Sequence, residues 1–220
     1  MKRVQKMVEV IPVILTNNPQ ELKRLVSQAE EIVERIQIDI VDGQFASNKT
    51  VDPSIFETIE TNLNLDFHLM TKEPADWVEK ATRAMADRII GQIEMMENQI
   101  EFVEKVMVTN ASVGLAVDIK TPISDIDPVV LASLDVVLVM SVPAGFGGQK
   151  FDKRALEKIK ELNEARKKDN MTFKICVDGG ITKEVISSLI KAGTDEVAIG
   201  RWLFKGDLRK NIDKIKERII

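Results

Sequence analysis

The chain contains one cysteine and one histidine among its 220 residues, and it has no tyrosine. A single cysteine excludes an intramolecular disulfide framework and is typical of a reducing compartment, so we predict a cytoplasmic location. Cys176 stands inside the apolar segment FKICV, where we interpret it as a small buried residue.

Long apolar runs and an excess of one charge are also missing. No apolar stretch approaches the roughly 20 residues of a membrane-spanning helix. The opening MKRVQKMVEVIPVIL places basic residues before apolar ones, but Glu9 and Pro12 interrupt it and no small-residue cleavage site follows, so we predict no signal peptide. The 31 basic and 35 acidic residues are mixed along the chain, without the basic face that nucleic acid requires. We therefore expect neither a membrane nor a nucleic acid as a partner.

Eight short β-branched segments alternate with amphipathic stretches, and these segments are the predicted strands. They cover residues 8–15, 36–41, 65–70, 88–94, 112–118, 135–141, 173–178 and 196–200. Their near-continuous apolar character is typical of a parallel sheet covered on both faces. Eight strand–helix units predict an α/β fold of the (β/α)8 TIM-barrel type, with an open doubly wound sheet as the alternative. No linker interrupts the pattern, so we expect residues 1–220 to form a single domain.

Two aspartates lie at the carboxyl ends of predicted strands, which is where the active sites of such barrels form. Asp39 lies near the end of strand 2, and Asp178 closes strand 7, well around the ring. Two carboxylates there would reach a substrate from opposite sides, so that one removes a proton and the other returns one. Alternatively, each aspartate caps a turn, but their shared position at one rim favours the acid–base interpretation.

Glycine-rich loops follow the last three predicted strands. Successive backbone amides in such loops bind anions, and the loops after strands 7 and 8 are the usual phosphate position in a barrel. Arg201 adds a guanidinium group suited to phosphate, with a solvated surface charge as the alternative. The motif GFGGQK matches neither nucleotide-binding glycine pattern, so we predict no nucleotide. The glycines concerned are Gly145, Gly147, Gly148, Gly179, Gly180 and Gly200.

His68 is the only histidine of the chain, and it lies on predicted strand 3. Alone, it would be interpreted as a core residue with satisfied hydrogen bonds. Beside Asp39 and Asp178 it predicts a mixed nitrogen and oxygen site for zinc, iron or manganese, with Gln37 as a weak fourth ligand that is also expected to contact substrate. Met70 and Met140 are candidates for apolar walls of the same pocket, although core packing is the default for methionine.

The motifs IDIVDGQF, NKT, DFHLM, VLVMSVPAGFGGQKF and VDGGI, in this order and spacing, resemble the ribulose-phosphate 3-epimerase family over about residues 10–205. The resemblance implies a (β/α)8-barrel isomerase of the pentose phosphate pathway that interconverts ribulose 5-phosphate and xylulose 5-phosphate. It implies that Asp39 and Asp178 are the acid–base pair and that both bind a divalent metal together with His68. It further implies that Met70 and Met140 flank the enediolate, that the glycines surround the phosphate and that the protein is a homo-oligomer.

The chain departs from the family pattern within the predicted site. Gln37 and Gln92 stand where the family usually has histidine, Gln37 at the position of a metal ligand. Val13 replaces serine, Val41 replaces methionine and Arg201 replaces a small residue. These differences concern the site and not the residues that build the barrel.

Three alternative functions follow from the same residues. One is an epimerase for a longer phosphoketose such as allulose 6-phosphate, because the sequence does not measure the pocket. Another is the orotidine-monophosphate decarboxylase group, whose D-x-K-x-x-D motif is matched only by Asp118 and Lys120 in DIKTPI. The third is a phosphosugar-binding barrel without catalysis, suggested by Val13, Gln37 and Arg201.

Overall fold

The protein forms a closed barrel of eight parallel strands in a computed structural model that describes residues 8–219. Each strand pairs with its neighbours in the sequence, and β1 pairs with β8 to close the ring. The predicted TIM barrel is confirmed, and the open sheet is excluded because closure leaves no edge strand. The basic opening residues considered as a signal peptide lie largely outside the described residues.

Every predicted strand is present, with bounds that differ by a residue or two from the prediction. The strands are β1 (Glu9–Ile14), β2 (Arg35–Val41), β3 (Asn64–Met70), β4 (Arg88–Gln92), β5 (Ser112–Val117), β6 (Val136–Met140), β7 (Lys174–Asp178) and β8 (Glu196–Ile199). The α-helices are α1 (Pro19–Ala29), α2 (Val78–Arg83), α3 (Gln99–Met107), α4 (Pro128–Leu131), α5 (Ala155–Lys168), α6 (Ile186–Ala192) and α7 (Leu208–Lys216). Within residues 8–219, no helix combines the length and apolar character needed to cross a bilayer.

The connection between β2 and β3 differs from a regular strand–helix unit, because it contains a 3₁₀ helix, Pro53–Thr58, and no α-helix. Pro53 opens this turn, and the Asp52 side chain accepts a hydrogen bond from the backbone N–H of Ser54. Phe56 packs edge-on against Phe67 of β3, with ring centroids 5.4 Å apart. One buried aromatic residue thus covers a part of β3 that a longer helix would otherwise cover.

Side chains alternate along each strand between the barrel interior and the layer of helices, as the twofold repeat of a strand requires. On β2, Ile36, Ile38 and Ile40 belong to the large apolar core that includes residues of the helices. Val41 belongs to the smaller interior cluster, which also contains Cys176. Cys176 is fully buried, and burial raises the pKa of its thiol well above the usual value, in agreement with the predicted structural role.

The floor of the barrel interior is charged. Arg88 on β4 forms ion pairs with Asp66 on β3 and Glu196 on β8, and all three are almost fully buried. Its Nη1 atom lies 2.8 Å from the Glu196 carboxylate. Arg35 and Lys174 extend the network towards solvent by contacting Asp66 and Glu196 respectively. These pairs join strands from opposite parts of the ring below the site.

Replacing Arg88 by methionine should lower the free energy of unfolding by roughly 3–5 kcal/mol, because the buried carboxylates of Asp66 and Glu196 lose their principal partner. Arg83→Met is the matched control, since Arg83 is half exposed and its pair with Glu79 on the surface of α2 should contribute about 1 kcal/mol or less. Urea unfolding followed by circular dichroism measures both variants. Equal losses of stability would contradict a structural role for the buried network.

Candidate active site

A cleft of about 680 Å³ opens where the strands end, and it collects most of the residues that the sequence predicts for the site. Of those predicted residues, all except Gln37 and His68 line its wall. They are Asp39, Met70, Met140, Gly145, Gly147, Gly148, Asp178, Gly179, Gly180, Gly200 and Arg201. A cleft of this volume is in the usual range for a small-molecule site.

Asp39 and Asp178 meet at the bottom of this cleft. They come from β2 and β7, which are separated in the ring by β1 and β8. The Nε2 atom of Gln37 donates to both carboxylates, at 2.8 Å from Asp39 Oδ1 and 2.8 Å from Asp178 Oδ2. One amide therefore bridges two carboxylates that are 6% and 7% exposed. Burial, followed by the negative charge of Asp39, raises the pKa of Asp178 to about 7.

His68 lies beside this pair and has no exposed surface. Its Nδ1 atom is 3.3 Å from Asp39 Oδ1, and its Nε2 atom is 2.7 Å from Gln92 Oε1. Burial acts to lower the pKa of His68, but the hydrogen bond and charge of Asp39, with the charge of Asp178, outweigh burial and raise the pKa above its usual value. The imidazole is thus an integral part of the carboxylate cluster.

The cluster fits a divalent cation in both ligand type and spacing. One ligand atom each from Asp39, His68 and Asp178 lies within 4.8 Å of the other two, which is within reach of a single ion. Among residues 8–219, the buried Oε1 atom of Gln37 has no hydrogen-bond partner, while its Nε2 atom faces the carboxylates. A flip of the Gln37 side-chain amide would direct its Oε1 atom at the ligand atoms of Asp39, His68 and Asp178. An amide oxygen is an acceptable ligand for a hard metal ion.

Gln37, which we expect to contact substrate, is not among the residues of the cleft wall. Its side chain is fully buried, does not line the cleft and is bonded to both carboxylates. The reason is its position on β2, two residues before Asp39 and therefore one level deeper in the barrel interior.

The other end of the cleft is formed by the three glycine-rich loops. Gly148 has a φ of +82°, and a Cβ atom there would lie 2.1 Å from Nη2 of Arg201, so only glycine permits the guanidinium to lie against this loop. Asn48 fixes the position of the loop after β6, because its side chain donates a hydrogen bond to the carbonyl oxygen of Gly145 at 2.8 Å. The motif NKT therefore has a structural role that its sequence did not reveal, because its partner lies almost 100 residues away.

Two other carboxylates at strand ends do not belong to the cleft. Asp42 accepts hydrogen bonds from the backbone N–H groups of Gln44, Phe45 and Lys72 and so caps the turn after β2. Asp118 accepts from the backbone N–H of Ala144 and does not line the cleft. Lys120 is exposed and absent from the cleft wall, so the partial decarboxylase motif is not gathered into a site.

The cleft wall also contains residues that were not predicted from the sequence, among them Phe146, Thr182, Trp202 and Lys205. Trp202 is fixed by a hydrogen bond from its Nε1 atom to the carbonyl oxygen of Ile181, 2.8 Å away. Lys205 adds a second cation, besides Arg201, to the cleft wall. Lys205 lies several residues after the end of β8, so it is not found by looking for polar residues directly at strand ends.

The raised pKa of Asp178 predicts how the folding stability of metal-free protein depends on pH. Its pKa is about 7 when folded and near 3.8 when unfolded, so folding stability falls as pH rises between these values. Asp178→Asn cannot ionise, and its Tm relative to the native protein should therefore rise by roughly 5–10 °C from about pH 5 to about pH 8, since the native protein loses roughly 3 kcal/mol over this range and 1 kcal/mol corresponds to about 2–4 °C in a chain of this size. Thermal unfolding in the presence of a chelator measures it. A relative Tm that falls over this range would contradict the assignment.

The sequence is similar to one enzyme family over most of its length. The model of the ribulose-phosphate 3 epimerase family matches residues 9–204. The chain is 33% identical to ribulose-phosphate 3-epimerase from Bacillus subtilis over 215 residues, covering 96% of this chain and 99% of that protein. It is 36% identical to ribulose-phosphate 3-epimerase from Chlamydia muridarum over 177 residues, covering 78% of this chain and 77% of that protein.

Solved structures share the architecture at much lower sequence identity. A mutant tryptophan synthase α-subunit from Pyrococcus furiosus superposes with a TM-score of 0.66 at 17% identity, covering 98% of both chains. The structure of 3-hexulose-6-phosphate synthase superposes with a TM-score of 0.67 at 15% identity, covering 97% of this chain and 100% of that chain. These likenesses concern the barrel fold alone.

Proposed function

The chain belongs to the ribulose-phosphate 3-epimerase family and is an epimerase, and we propose that it converts ribulose 5-phosphate to xylulose 5-phosphate by proton transfer through Asp39 and Asp178. The observation that carries this proposal is the pair of buried carboxylates that line one cleft while coming from strands on different parts of the ring. Inversion at a carbon next to a ketone needs two such groups, one for each face of the substrate.

The reaction begins when one carboxylate takes the proton from C3 of the substrate. The electron pair of the C3–H bond moves into the bond between C2 and C3, and the ketone oxygen at C2 receives the negative charge of the resulting enediolate. The other carboxyl group then delivers a proton to the opposite face of C3. A pKa of about 7 suits Asp178 to this exchange, because both its forms are populated near neutral pH.

Binding of the phosphate group at the glycine-rich end would hold C3 between the carboxylates. Gly147, Gly148 and Gly180 line this end of the cleft, and Arg201 and Lys205 bring positive charge to it. Backbone N–H groups and a guanidinium group are the donors that phosphate commonly uses. Met70 and Met140 would contribute the apolar walls next to the reacting carbons.

Asp39, His68 and Asp178 would hold a divalent ion of zinc, iron or manganese, with the amide oxygen of Gln37 as a further ligand. When bound, the metal supplies Lewis-acid stabilisation of the negative charge that develops on the substrate oxygens. A bound cation would also offset the repulsion between the two buried carboxylates. The unpartnered Oε1 atom of Gln37 supports this part of the proposal, because a cation gives that atom a partner.

Replacing either member of the pair by asparagine should reduce kcat for ribulose 5-phosphate by at least about 10²–10⁴-fold, because asparagine cannot transfer the proton. Asp42→Asn is the matched control, since Asp42 follows the same strand as Asp39 but caps a turn outside the cleft. A coupled assay for xylulose 5-phosphate measures turnover, and calorimetry with ribulose 5-phosphate measures binding.

Turnover by Asp39→Asn and Asp178→Asn close to that of Asp42→Asn would contradict the two-carboxylate mechanism. Binding of the sugar phosphate by the native protein without turnover would identify a non-catalytic phosphosugar-binding barrel. A higher kcat/KM with allulose 6-phosphate than with ribulose 5-phosphate would leave the mechanism intact and assign the longer substrate.

Arg201→Met should raise KM for the sugar phosphate by about 10–100-fold with a much smaller change in kcat, because a charge-assisted hydrogen bond is worth roughly 1.5–3 kcal/mol. Arg209→Met is the control, since Arg209 donates to the carbonyl oxygen of Glu31 and does not line the cleft. Steady-state kinetics distinguish the two variants. Equal KM values for them would show that Arg201 is a solvated surface charge.

A further inference from the structure

Gln92 links the only histidine of the chain to a carboxylate on the next loop. Its side chain is fully buried at the end of β4. Its Oε1 atom lies 2.7 Å from Nε2 of His68, and its Nε2 atom donates to Oε2 of Glu94 at 2.7 Å. The second oxygen of Glu94 accepts a hydrogen bond from the backbone N–H of Asp118, also at 2.7 Å.

The chemistry of these contacts fixes the direction of every hydrogen bond. The backbone N–H of Asp118 can only donate, and the ionised carboxylate of Glu94 can only accept. Glu94 therefore requires the NH₂ group of Gln92 on its side, which turns the amide oxygen of Gln92 towards the imidazole. A carbonyl oxygen can only accept, so the ring atom facing it, Nε2 of His68, carries the proton.

We propose that Gln92 and Glu94 are positioning residues that hold His68 in the Nε2–H tautomer, with the lone pair of Nδ1 directed at Asp39 and Asp178. The inference deepens the proposed function, because Nδ1 is then the atom that would bind the metal. The outer partner of a metal-binding histidine fixes its tautomer and ring orientation in this way, and its loss usually lowers metal affinity by about 10–100-fold.

The hydrogen-bonded chain from His68 through Gln92 to Glu94, here called the relay, is anchored outside the site. The N–H group that fixes Glu94 belongs to Asp118, which follows β5 directly, and the Nζ atom of Lys158 donates to the backbone carbonyl oxygen of the same residue. Asp118 in turn accepts from the N–H of Ala144, one residue before Gly145 in the glycine-rich loop. The orientation of His68 on β3 is therefore determined by the backbone that directly follows β5, two strands away in the ring, and the glycine-rich loop is attached to the same residue.

An isosteric change tests the relay without altering any fully buried residue. In Glu94→Gln, the backbone N–H of Asp118 still needs an acceptor and takes the new amide oxygen, so the NH₂ group of residue 94 faces Gln92. The amide of Gln92 must then turn over and present its own NH₂ group to His68. The imidazole should respond by moving its proton to Nδ1.

Because His68 is the only histidine, untagged protein labelled with nitrogen-15 at histidine gives the signals of a single imidazole. The measurement uses metal-free protein at about pH 9, where the proposal expects a neutral ring, and the protonated and unprotonated nitrogens differ widely in chemical shift. Nε2 couples to both carbon-bound ring protons, whereas Nδ1 couples strongly to only one, so the two atoms are distinguished. We expect Nε2–H in the native protein and Nδ1–H in Glu94→Gln.

Two further variants complete the experiment. Glu97→Gln removes the same charge from the same loop, but its side chain makes no hydrogen bond to Gln92, so the native tautomer should persist. Gln92→Leu removes the acceptor itself and should give Nδ1–H, which then donates to Asp39. Titration with Zn²⁺ alone should show about 10–100-fold weaker binding in Glu94→Gln than in Glu97→Gln.

Nδ1–H in the native protein, an imidazole protonated on both nitrogens at about pH 9, or an unchanged tautomer in Glu94→Gln would overturn the proposal. Failure of the native protein to bind Zn²⁺ or to turn over ribulose 5-phosphate would count against the proposed function instead. The tautomer of metal-free protein is read without metal or substrate, so the two failures are distinguishable.

Discussion

Two carboxylates buried at the bottom of one cleft are the constraint around which the site is built. Asp39 and Asp178 are each more than nine-tenths buried, and both accept from the same amide nitrogen of Gln37. Two like charges so close together and so poorly hydrated repel each other strongly. The site is stable only if a proton, a hydrogen-bond donor or a cation offsets that repulsion.

Two features of the described site supply part of this compensation. Gln37 donates to both carboxylates, and Asp178, whose pKa is raised to about 7, is partly protonated near neutral pH. The same properties suit proton transfer, because a carboxyl group that gains and loses a proton near pH 7 can act in both directions. A metal ion would provide the same compensation more strongly, and the amide of Gln37 has an unpartnered oxygen available for it.

The barrel provides two different ways of burying charge. On the floor of the interior, Arg88 pairs with Asp66 and Glu196 so completely that the charges are fixed. Nearer the strand ends, no arginine within residues 8–219 pairs with Asp39 or Asp178, and both carboxylates accept from the neutral amide of Gln37. The first arrangement stabilises the fold, whereas the second leaves the carboxylates free to react.

Most of the fold and about half of the cleft wall could be predicted from the sequence, because both depend largely on local periodicity. The strand-end residues Asp39, Met70 and Asp178 reach the cleft since parallel strands of a closed barrel all end on one side. The 3₁₀ helix at Pro53–Thr58 was not predicted, because a single aromatic contact between distant segments replaces a helix there.

Periodicity does not reveal the direction in which a side-chain amide points. The roles of Gln37 and Gln92 depend on whether the amide nitrogen or the amide oxygen faces a carboxylate. That orientation is set by contacts with residues distant in the sequence, such as Asp178 for Gln37 and, through Glu94, the backbone of Asp118 for Gln92. The contrast between Asp39 and Asp42 has the same origin. The two differ by three positions, yet one meets Asp178 across the barrel and the other meets only nearby backbone N–H groups.

The most direct test follows C3 of ribulose 5-phosphate by NMR while the protein acts in heavy water. The carboxyl group that delivers the second proton carries deuterium from the heavy water, so the two-carboxylate mechanism predicts deuterium at C3 as xylulose 5-phosphate forms. Binding of the sugar phosphate with no deuterium at C3 and no xylulose 5-phosphate, whether or not a divalent metal is added, would contradict the two-carboxylate epimerase.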